Sequence, residues 1–310
     1  MTRVDDARNG DRRALGRLVS DVEDDTTTGR ETLAAVYLDG GGAWITGVTG
    51  APGAGKSTLV DLLIEHARLS GPVAVVAIDP SSPFTGGAIL GDRVRMQRHT
   101  DDDGVYIRSM ANRGHLGGIA AATPRVVALL DGLGYSEILI ETVGVGQAEV
   151  EVASSADTVA VVVNPGWGDA VQAAKAGLLE VGDVFVVNKA DRPGAKQAVK
   201  ELIGALEIGQ ARPWLPPVVE TVATDGDGLA ELWDAIAAHR SHLDESGERE
   251  QRRLVRVLAE VEAALRASLR QTVTSSGALA PEILDRVLAR QVDPWSVASE
   301  MVAGGSFETS

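Results

Sequence analysis

The sequence predicts an α/β fold in which a mostly parallel sheet is flanked by helices. Residues 73–78, VAVVAI, form a continuous apolar run that is typical of a strand buried on both faces. Residues 158–163, TVAVVV, are a second such strand, and segments with helical spacing of apolar residues lie between the two. The glycine-rich segment 50–57, GAPGAGKS, joins a predicted strand to a predicted helix and matches the phosphate-binding pattern GxxxxGK[ST]. These observations indicate a P-loop nucleotide-binding domain.

Helical extensions are predicted on both sides of this domain. Residues 1–42 form an N-terminal extension, residues 43–240 the nucleotide-binding domain and residues 241–310 a C-terminal helical region. In the C-terminal region, apolar residues recur at spacings of four and three, which predicts one narrow stripe on a long helix: Leu254, Leu258, Val261 and Leu265. Such a stripe packs back on the domain or builds a homodimer, and we favour the homodimer.

Composition and charge exclude several classes of function. A formal net charge of -15 disfavours nucleic acid or an anionic membrane as a partner. The chain contains no cysteine, which excludes disulfides and thiolate metal sites. It has no apolar run near about eighteen residues and no signal-peptide core at its start. We therefore expect a cytoplasmic protein that holds a polyanionic nucleotide through local groups.

The phosphate loop supplies the groups that nucleotide binding requires. Its glycines let consecutive N–H groups point at a bound phosphate, and the helix that follows adds the positive end of its dipole. Lys56 is expected to reach the outer phosphates, the Ser57 hydroxyl to ligate Mg2+ and Thr58 to contact the inner phosphate. The alternative is a glycine-rich turn that binds nothing. The predicted nucleotide-binding residues here are Gly50, Ala51, Pro52, Gly53, Ala54, Gly55, Lys56, Ser57 and Thr58.

Acidic residues occur where an open α/β sheet places its ligand crevice. Asp79 and Glu141 each directly follow a predicted strand, and Asp92 lies in a glycine-rich loop between them. Together with Ser57, these three acids are the predicted Mg2+ ligands. The alternative is that Asp79 only forms a turn before a proline and that Asp92 is only solvated.

Glu141 also begins the segment ETVG, which has the shape of the DxxG switch of P-loop GTPases with glutamate in place of aspartate. The Gly144 N–H is expected to sense the γ-phosphate, since glycine allows close approach. Many small GTPases place a water-orienting glutamine directly after this glycine. Here Val145 occupies that position and Gln147 lies two residues further on, so we predict slow hydrolysis by the protein alone.

Residues 188–191, NKAD, follow a predicted strand and match the guanine-binding pattern NKxD. The Asp191 carboxylate can accept hydrogen bonds from guanine N1–H and from the 2-amino group, two donors that adenine lacks. Asn188 and the Lys189 stem are expected to support the loop and cover the base. Ala223 lies in the loop whose backbone is expected to contact guanine O6. A helix cap is the alternative for NKxD, but its place after a strand favours GTP over ATP.

These motifs resemble the methylmalonyl-CoA mutase-associated GTPases of the MeaB and ArgK type. The similarity covers roughly residues 13–240 and includes GVTGAPGAGKST, VAIDPSSPFTGGAILGDRVRM, YIRSMANRGHLGGIA, ILIETVGVGQAEVEV and VVNKAD. The resemblance implies a homodimeric GTPase that uses GTP, GDP and Mg2+ and acts as a chaperone of an adenosylcobalamin-dependent acyl-CoA mutase. Such a chaperone gates cofactor loading and protects or reactivates the enzyme.

The resemblance also implies roles for individual residues. Gln172 and Lys175 match a mobile loop with which the family communicates with the mutase. The family's magnesium network corresponds to Asp79, Asp92 and Glu141. Residues 221–224 and the short C-terminal region depart from the family's pattern. The candidate catalytic residues are Lys56, Asp92, Glu141, Gly144, Gln147 and Lys175.

Two other functions remain open on the sequence. A metabolite kinase or a transport-associated ATPase would need ATP, which the NKAD segment disfavours. A nickel-delivery GTPase would need metal ligands, but the chain has no cysteine and its histidines are scattered. His239 and His242 are spaced to share one helical face and could bind a metal, although a solvated helix end is the simpler interpretation.

Overall fold

The computed structural model describes residues 2–80, 97–99, 101–112, 119–142, 152, 154–166, 172–208, 213–275 and 281–302. The chain divides into two compact units, Met1–Arg256 and Val257–Ser310. The first unit contains the sheet and the predicted nucleotide-binding motifs. The second contains the end of a long helix and two shorter helices.

Seven strands pair in parallel in one sheet, as the sequence predicts. They are β1 Trp44–Gly50, β2 Val73–Pro80, β3 Val105–Asn112, β4 Glu137–Thr142, β5 Thr158–Val163, β6 Val184–Asn188 and β7 Val218–Thr221. Their order in the sheet is β3-β2-β4-β1-β5-β6-β7. The central position of β1 means that the phosphate loop, which follows it, leaves the middle of the carboxyl edge of the sheet.

Helices connect and flank these strands. They are α1 Arg3–Arg8, α2 Arg12–Glu23, α3 Thr27–Tyr37, α4 Lys56–Ala67, α5 Ile119–Gly132, α6 Gln172–Val181, α7 Ala195–Ile208, α8 Leu229–Ser246, α9 Glu248–Ser275, α10 Pro281–Leu288 and α11 Pro294–Val302. A short 3-10 helix covers Gln97–His99. Every helix within the described residues is too short or too polar to span a membrane.

The two faces of the sheet bury separate apolar clusters. Successive side chains of a strand point to opposite faces, so Ala74 and Val76 of β2 join one cluster while Val73 and Val75 join the other. The first cluster packs against α1, α2, α3, α5, α6 and α7. The second packs against α4 and α8. This sandwich of helix, sheet and helix is the α/β fold that the apolar runs predict.

The N-terminal helices belong to the first of these clusters. The apolar face of α2 is buried there with Val36 of α3: Leu15, Leu18, Val19 and Val22. The Asp131 carboxylate of α5 accepts hydrogen bonds from the N–H groups of Gly42 and Ala43, at 3.2 and 2.9 Å. The segment that leads into β1 is therefore tied to the helix beside it.

The apolar stripe predicted on the C-terminal helix lies on α9. All four of its side chains are more than half exposed: Leu254, Leu258, Val261 and Leu265.

Candidate functional site

The phosphate loop joins the carboxyl end of β1 to the start of α4. Gly50 ends β1 with φ at 133°, and a Cβ there would lie 1.9 Å from the carbonyl oxygen of Val162 in β5. Gly55 precedes α4 with φ at 96°, and a Cβ there would lie 2.2 Å from the side-chain nitrogen of Asn188. Both positions require glycine because of their backbone conformation and the close approach of a neighbour. The glycine pattern therefore packs this loop against β5 and the guanine loop.

Lys56 is held inside the loop. Its Nζ donates to the carbonyl oxygens of Gly50 and Ala51, at 2.8 and 2.9 Å, and the side chain is buried. A cation at this position, at the amino end of α4, places its charge beside the backbone N–H groups of the same loop. The combination favours a bound polyphosphate.

Ser57 lies against the acid that the sequence predicts as its partner. The Ser57 hydroxyl donates to Glu141 Oε1 at 2.6 Å, and both side chains are buried. The register of β1 and β4 places Val48 beside Glu141, which brings the carboxyl end of β4 next to the start of α4. A hydroxyl and a carboxylate in contact are hard oxygen ligands, so the residues present fit a Mg2+ ion.

The guanine loop is cross-linked to the phosphate loop by Asn188. Its Nδ2 donates to the Ala54 carbonyl oxygen at 2.7 Å. Its Oδ1 accepts from the Thr221 hydroxyl at 3.1 Å and from the Ala223 N–H at 3.0 Å. One buried amide therefore joins three loops at the carboxyl edge. The predicted contact of the Ala223 backbone with guanine O6 stays a prediction.

Lys189 and Asp191 of the NKAD segment are arranged differently from Asn188. Lys189 adopts a positive φ of 59°, and its Nζ donates to the Gly53 carbonyl oxygen at 2.6 Å. Its stem therefore runs toward the phosphate loop, and the predicted role of the stem in covering the base stays a prediction. Asp191 is exposed at the tip of the loop. Its carboxylate is accessible to a ligand.

The structure describes only part of the remaining predicted site. Asp92, Gly144 and Gln147 lie outside the described residues. Asp79 lies in β2, and Gln172 and Lys175 lie in α6, but their side chains are also outside the description. The register of β2 and β4 pairs Ile78 with Thr142, so Asp79 follows at the same edge as Glu141. The roles predicted for these residues stay predictions.

Sequence reasoning missed a buried cluster on the phosphate-loop helix. Asp61 of α4 is buried and its carboxylate pairs with Arg98, while His99 Nε2 lies 3.1 Å from the Asp61 backbone carbonyl oxygen. Burial lowers the pKa of His99 below its ordinary value. The sequence did contain a signal for this cluster: Asp61 lies among the apolar residues of α4, and a buried carboxylate needs a partner of opposite charge or a hydrogen-bond donor.

A second missed set lies at the opposite, amino edge of the sheet. Three buried acids lie at or just before the starts of β4, β5 and β6, and each is bound by an arginine of α8 or α9. We call these pairs the amino-edge ion pairs: Glu137 with Arg240, Asp157 with Arg256 and Asp183 with Arg252. Beside these pairs, the guanidinium carbons of Arg240 and Arg249 lie 4.4 and 4.5 Å from the centroid of the Trp44 ring.

The histidine pair considered as a metal site belongs to this amino edge. His239 is fully buried, and its Nδ1 lies 2.9 Å from the Thr158 hydroxyl. His239 and His242 both pack on the ring of Trp214, at 5.1 and 5.2 Å between ring centroids. The solvated helix end expected for His239 is therefore wrong, because the ring fills the core. In the part of the chain that the structure describes, no three His, Cys, Asp or Glu side chains cluster as metal ligands.

Comparison with known proteins gives matches that cover most of the chain. A family model described as Methylmalonyl Co-A mutase-associated GTPase MeaB matches residues 13–278. A Pyrococcus abyssi protein whose name describes it as a GTPase is 48% identical to this chain over 313 residues, which cover 97% of this chain and 97% of that protein. A mouse protein named methylmalonic aciduria type A homolog, mitochondrial, is 38% identical over 208 residues, which cover 65% of this chain and 50% of the relative.

A solved structure shows the same fold. The crystal structure of a protein named LAO/AO transport system kinase aligns with a TM-score of 0.69 and 26% identity, covering 97% of this chain and 95% of that one. The phosphate loop and the NKAD loop lie at one edge of the sheet, as GTP binding requires, and similarity to proteins named as GTPases supports GTP hydrolysis. Because the family model spans well over half of the chain, the protein belongs to the MeaB family of methylmalonyl-CoA mutase-associated GTPases.

Proposed function

We propose that this GTPase is a chaperone of an adenosylcobalamin-dependent acyl-CoA mutase, which it loads with cofactor and protects or reactivates. The contact between Ser57 and Glu141 is the observation that supports a switch controlled by the bound nucleotide. It joins the phosphate loop to the acid that opens the predicted switch segment. The description of the family model, which extends to residue 278 and so beyond the nucleotide-binding motifs, supports the mutase as the partner.

GTP recognition in this proposal uses both cross-linked loops. The Asp191 carboxylate accepts the two guanine donors, and the N–H groups of the phosphate loop hold the phosphates. The Lys56 ammonium offsets the charge of the outer phosphates. Because Asn188 bonds to Ala54 and to Ala223, a shift of the base-binding loop is transmitted directly to the phosphate loop.

We propose that Mg2+ accompanies GTP and that Ser57 and Glu141 hold it, assisted by Asp79 and Asp92. When bound, the ion neutralises negative charge on the phosphates. Glu141 lies in β4 and precedes the predicted γ-phosphate sensor Gly144 by three residues. A change in the number of phosphates therefore acts on the segment that follows Glu141, and we propose that the mutase responds to that segment and to residues 172–175.

The test uses purified components. GTP turnover is measured alone and with apo methylmalonyl-CoA mutase, and adenosylcobalamin loading is followed by its absorbance. We expect slow turnover alone, acceleration by the mutase and nucleotide-dependent loading. Glu141→Gln removes the charge beside Ser57 and is expected to abolish the nucleotide dependence, whereas Glu201→Gln, at an exposed helix position, leaves it intact. If the mutase changes neither turnover nor loading, the chaperone proposal fails.

We also propose that the protein is a homodimer and that the exposed stripe of α9 contributes to its interface. Four exposed apolar side chains along one stripe of a helix are costly to leave in water. Leu258→Glu is expected to convert the dimer to a monomer, as measured by sedimentation. An exposed apolar residue elsewhere on the surface, Leu69, gives the control variant Leu69→Glu, which should not change the oligomeric state. A wild-type monomer would contradict this part of the proposal.

One alternative function has an observation in its favour. The solved structure aligned above is that of a protein named a transport system kinase, so phosphoryl transfer to another acceptor is the competing reaction. Radiolabelled γ-phosphate distinguishes the two, because hydrolysis releases inorganic phosphate and a kinase leaves the label on an acceptor. Selection of GTP over ATP by Asp191 favours the switch, and label retained on a metabolite would favour the kinase.

A further inference from the structure

A cleft between the N-terminal helices and the edge strand β3 is lined by arginine side chains. Its volume is about 500 Å³, and four arginines line it together with one carboxylate: Arg3, Arg13, Arg17, Arg108 and Asp21. We call it the arginine cleft. Its lining includes no residue of the phosphate loop or of the guanine loop. In a chain with a formal net charge of -15, four arginines along one cleft run against the overall charge of the molecule.

Two of these arginines have no hydrogen-bond or ion-pair partner among the described residues, although the charges of both act on the Asp11 carboxylate at the start of α2. They are Arg13 and Arg17, which lie one turn apart on the same face of α2. Like charges four residues apart destabilise a helix. A ligand of opposite charge in the cleft would remove that repulsion. By contrast, Arg3 pairs with Asp21 at 2.8 Å and helps to frame the cleft.

Arg108 reaches the cleft from β3 and is held in place by α2. Its Nη2 donates to the Ser20 hydroxyl at 3.2 Å and pairs with the Glu23 carboxylate. Its Nε is buried and has no hydrogen-bond acceptor among the described residues. A buried N–H without an acceptor is costly, so this guanidinium is oriented but not saturated.

Gly16 is the glycine in the lining of the cleft. It lies inside α2, where glycine is among the least favourable residues. A Cβ at this position would meet nothing within 4 Å, so packing does not require glycine there. Gly16 lines the cleft, and the missing side chain leaves the helix backbone open to close approach by a ligand.

We propose that the arginine cleft binds a small molecule through a phosphomonoester or diphosphate group. The planar fork of arginine matches phosphate oxygens in pairs, and several forks around one concavity define a site for a group with two negative charges. The volume lies within the range of small-molecule sites. The cleft is shallow, open and small, which favours a compact anion over an acidic peptide.

The experiment uses the full chain with its nucleotide site saturated by GDP. Pyrophosphate and inorganic phosphate are titrated by calorimetry at two ionic strengths. We expect one saturable site per chain whose affinity falls as salt rises. The double variant Arg13→Gln/Arg17→Gln should weaken binding by about tenfold or more, while the exposed Arg286→Gln should leave it unchanged. The GDP affinity of all variants should equal that of the wild type.

Two glycine variants distinguish an effect on ligand binding from an effect on helix stability. Gly16→Ala and Gly204→Ala both place a methyl group in open space on a helix, so both should raise the melting temperature. Only Gly16→Ala should weaken pyrophosphate binding. The proposal is overturned if GDP-loaded protein binds neither anion, if the arginine variants bind as the wild type does, or if only a polyglutamate peptide binds. Because GDP affinity is measured in parallel, failure here is distinct from failure of the proposed switch.

Discussion

The two edges of the sheet are built for different purposes. At the amino edge, buried acids just before or at the starts of three strands are neutralised by arginines of α8 and α9. At the carboxyl edge, Lys56 and Asn188 bond to backbone carbonyl oxygens, and Asp191 is exposed. Charges at the first edge are paired within the protein, whereas groups at the second are arranged for a ligand. Stability should therefore depend on the amino edge and GTP chemistry on the carboxyl edge.

The largest expected effect is a loss of GTP hydrolysis without a loss of stability, caused by a substitution at the carboxyl edge. Lys56→Ala removes the cation beside the phosphates and should slow single-turnover GTP hydrolysis by about 100-fold or more, as for other groups that stabilise transition-state charge. The melting temperature should change little. The exposed Lys196→Ala should hydrolyse GTP at the wild-type rate. Equal loss in both variants would contradict the assignment of Lys56.

The converse effect is expected at the amino edge. Arg256→Ala leaves the Asp157 carboxylate buried without its partner and should cost about 3 kcal/mol of unfolding free energy. On the same helix, Arg253 is partly exposed and its nearest acid lies 4.0 Å away, so Arg253→Ala should cost less than about 0.5 kcal/mol. Urea unfolding measures both. GTP affinity of the folded Arg256→Ala protein should match the wild type; a large loss would mean that the edges are not separable.

Nucleotide selectivity should depend on one exposed carboxylate at the carboxyl edge. Asp191→Ala removes two charge-assisted hydrogen bonds to guanine, so GTP affinity should fall by about 100-fold while ATP affinity is unaffected. Competition binding with a fluorescent GTP analogue gives both values. Glu231→Ala, at an exposed position of α8, serves as the control. Unchanged preference for GTP would show that another group reads the base.

A smaller effect concerns the pH dependence of the amino edge. Burial lowers the pKa of His239 to about 4, against the opposing influence of Asp183, with Arg252 and His242 also facing the ring. The unfolded chain therefore binds a proton near pH 6.5 that the folded chain does not bind until about pH 4. Stability from the neutral ring is present above pH 6.5 and is lost as pH falls, by about 2 kcal/mol between pH 7 and pH 5.

His239→Gln tests this assignment because glutamine does not titrate. Urea unfolding at pH 7 and pH 5 should show a smaller loss of stability in the variant than in the wild type, even if the variant is less stable at both values. His66→Gln, at a partly exposed position of α4, should keep the wild-type slope. An identical slope in all three proteins would assign the acid sensitivity to other groups.

Local motifs predicted where the candidate nucleotide site lies. The segments GAPGAGKS and NKAD act through the geometry of their own loops and a few neighbouring side chains. A short sequence pattern is therefore enough to predict each of these two loops. The continuous apolar runs also predicted the parallel sheet. The approach of Ser57 and Glu141 was expected because Ser57 follows β1 and Glu141 lies at the carboxyl end of the adjacent strand β4.

The amino-edge ion pairs could not be predicted in the same way. Arg252 and Asp183 are 69 residues apart, and Arg256 and Asp157 are 99 residues apart. Nothing local distinguishes these arginines from solvated neighbours such as Arg253. Asn188 also has a second role that its motif does not reveal, since its contact with Ala54 depends on the tertiary approach of two loops.

The position of Trp44 has a consequence for spectroscopy. Its indole opens β1 and lies close to two guanidinium groups, while the other end of the same strand enters the phosphate loop. Indole fluorescence responds to the field of nearby cations, so the difference spectrum between the wild type and Trp44→Phe isolates an intrinsic optical reporter of the amino edge. A change in that signal on adding GTP would report, without a label, how far nucleotide binding is felt along one strand.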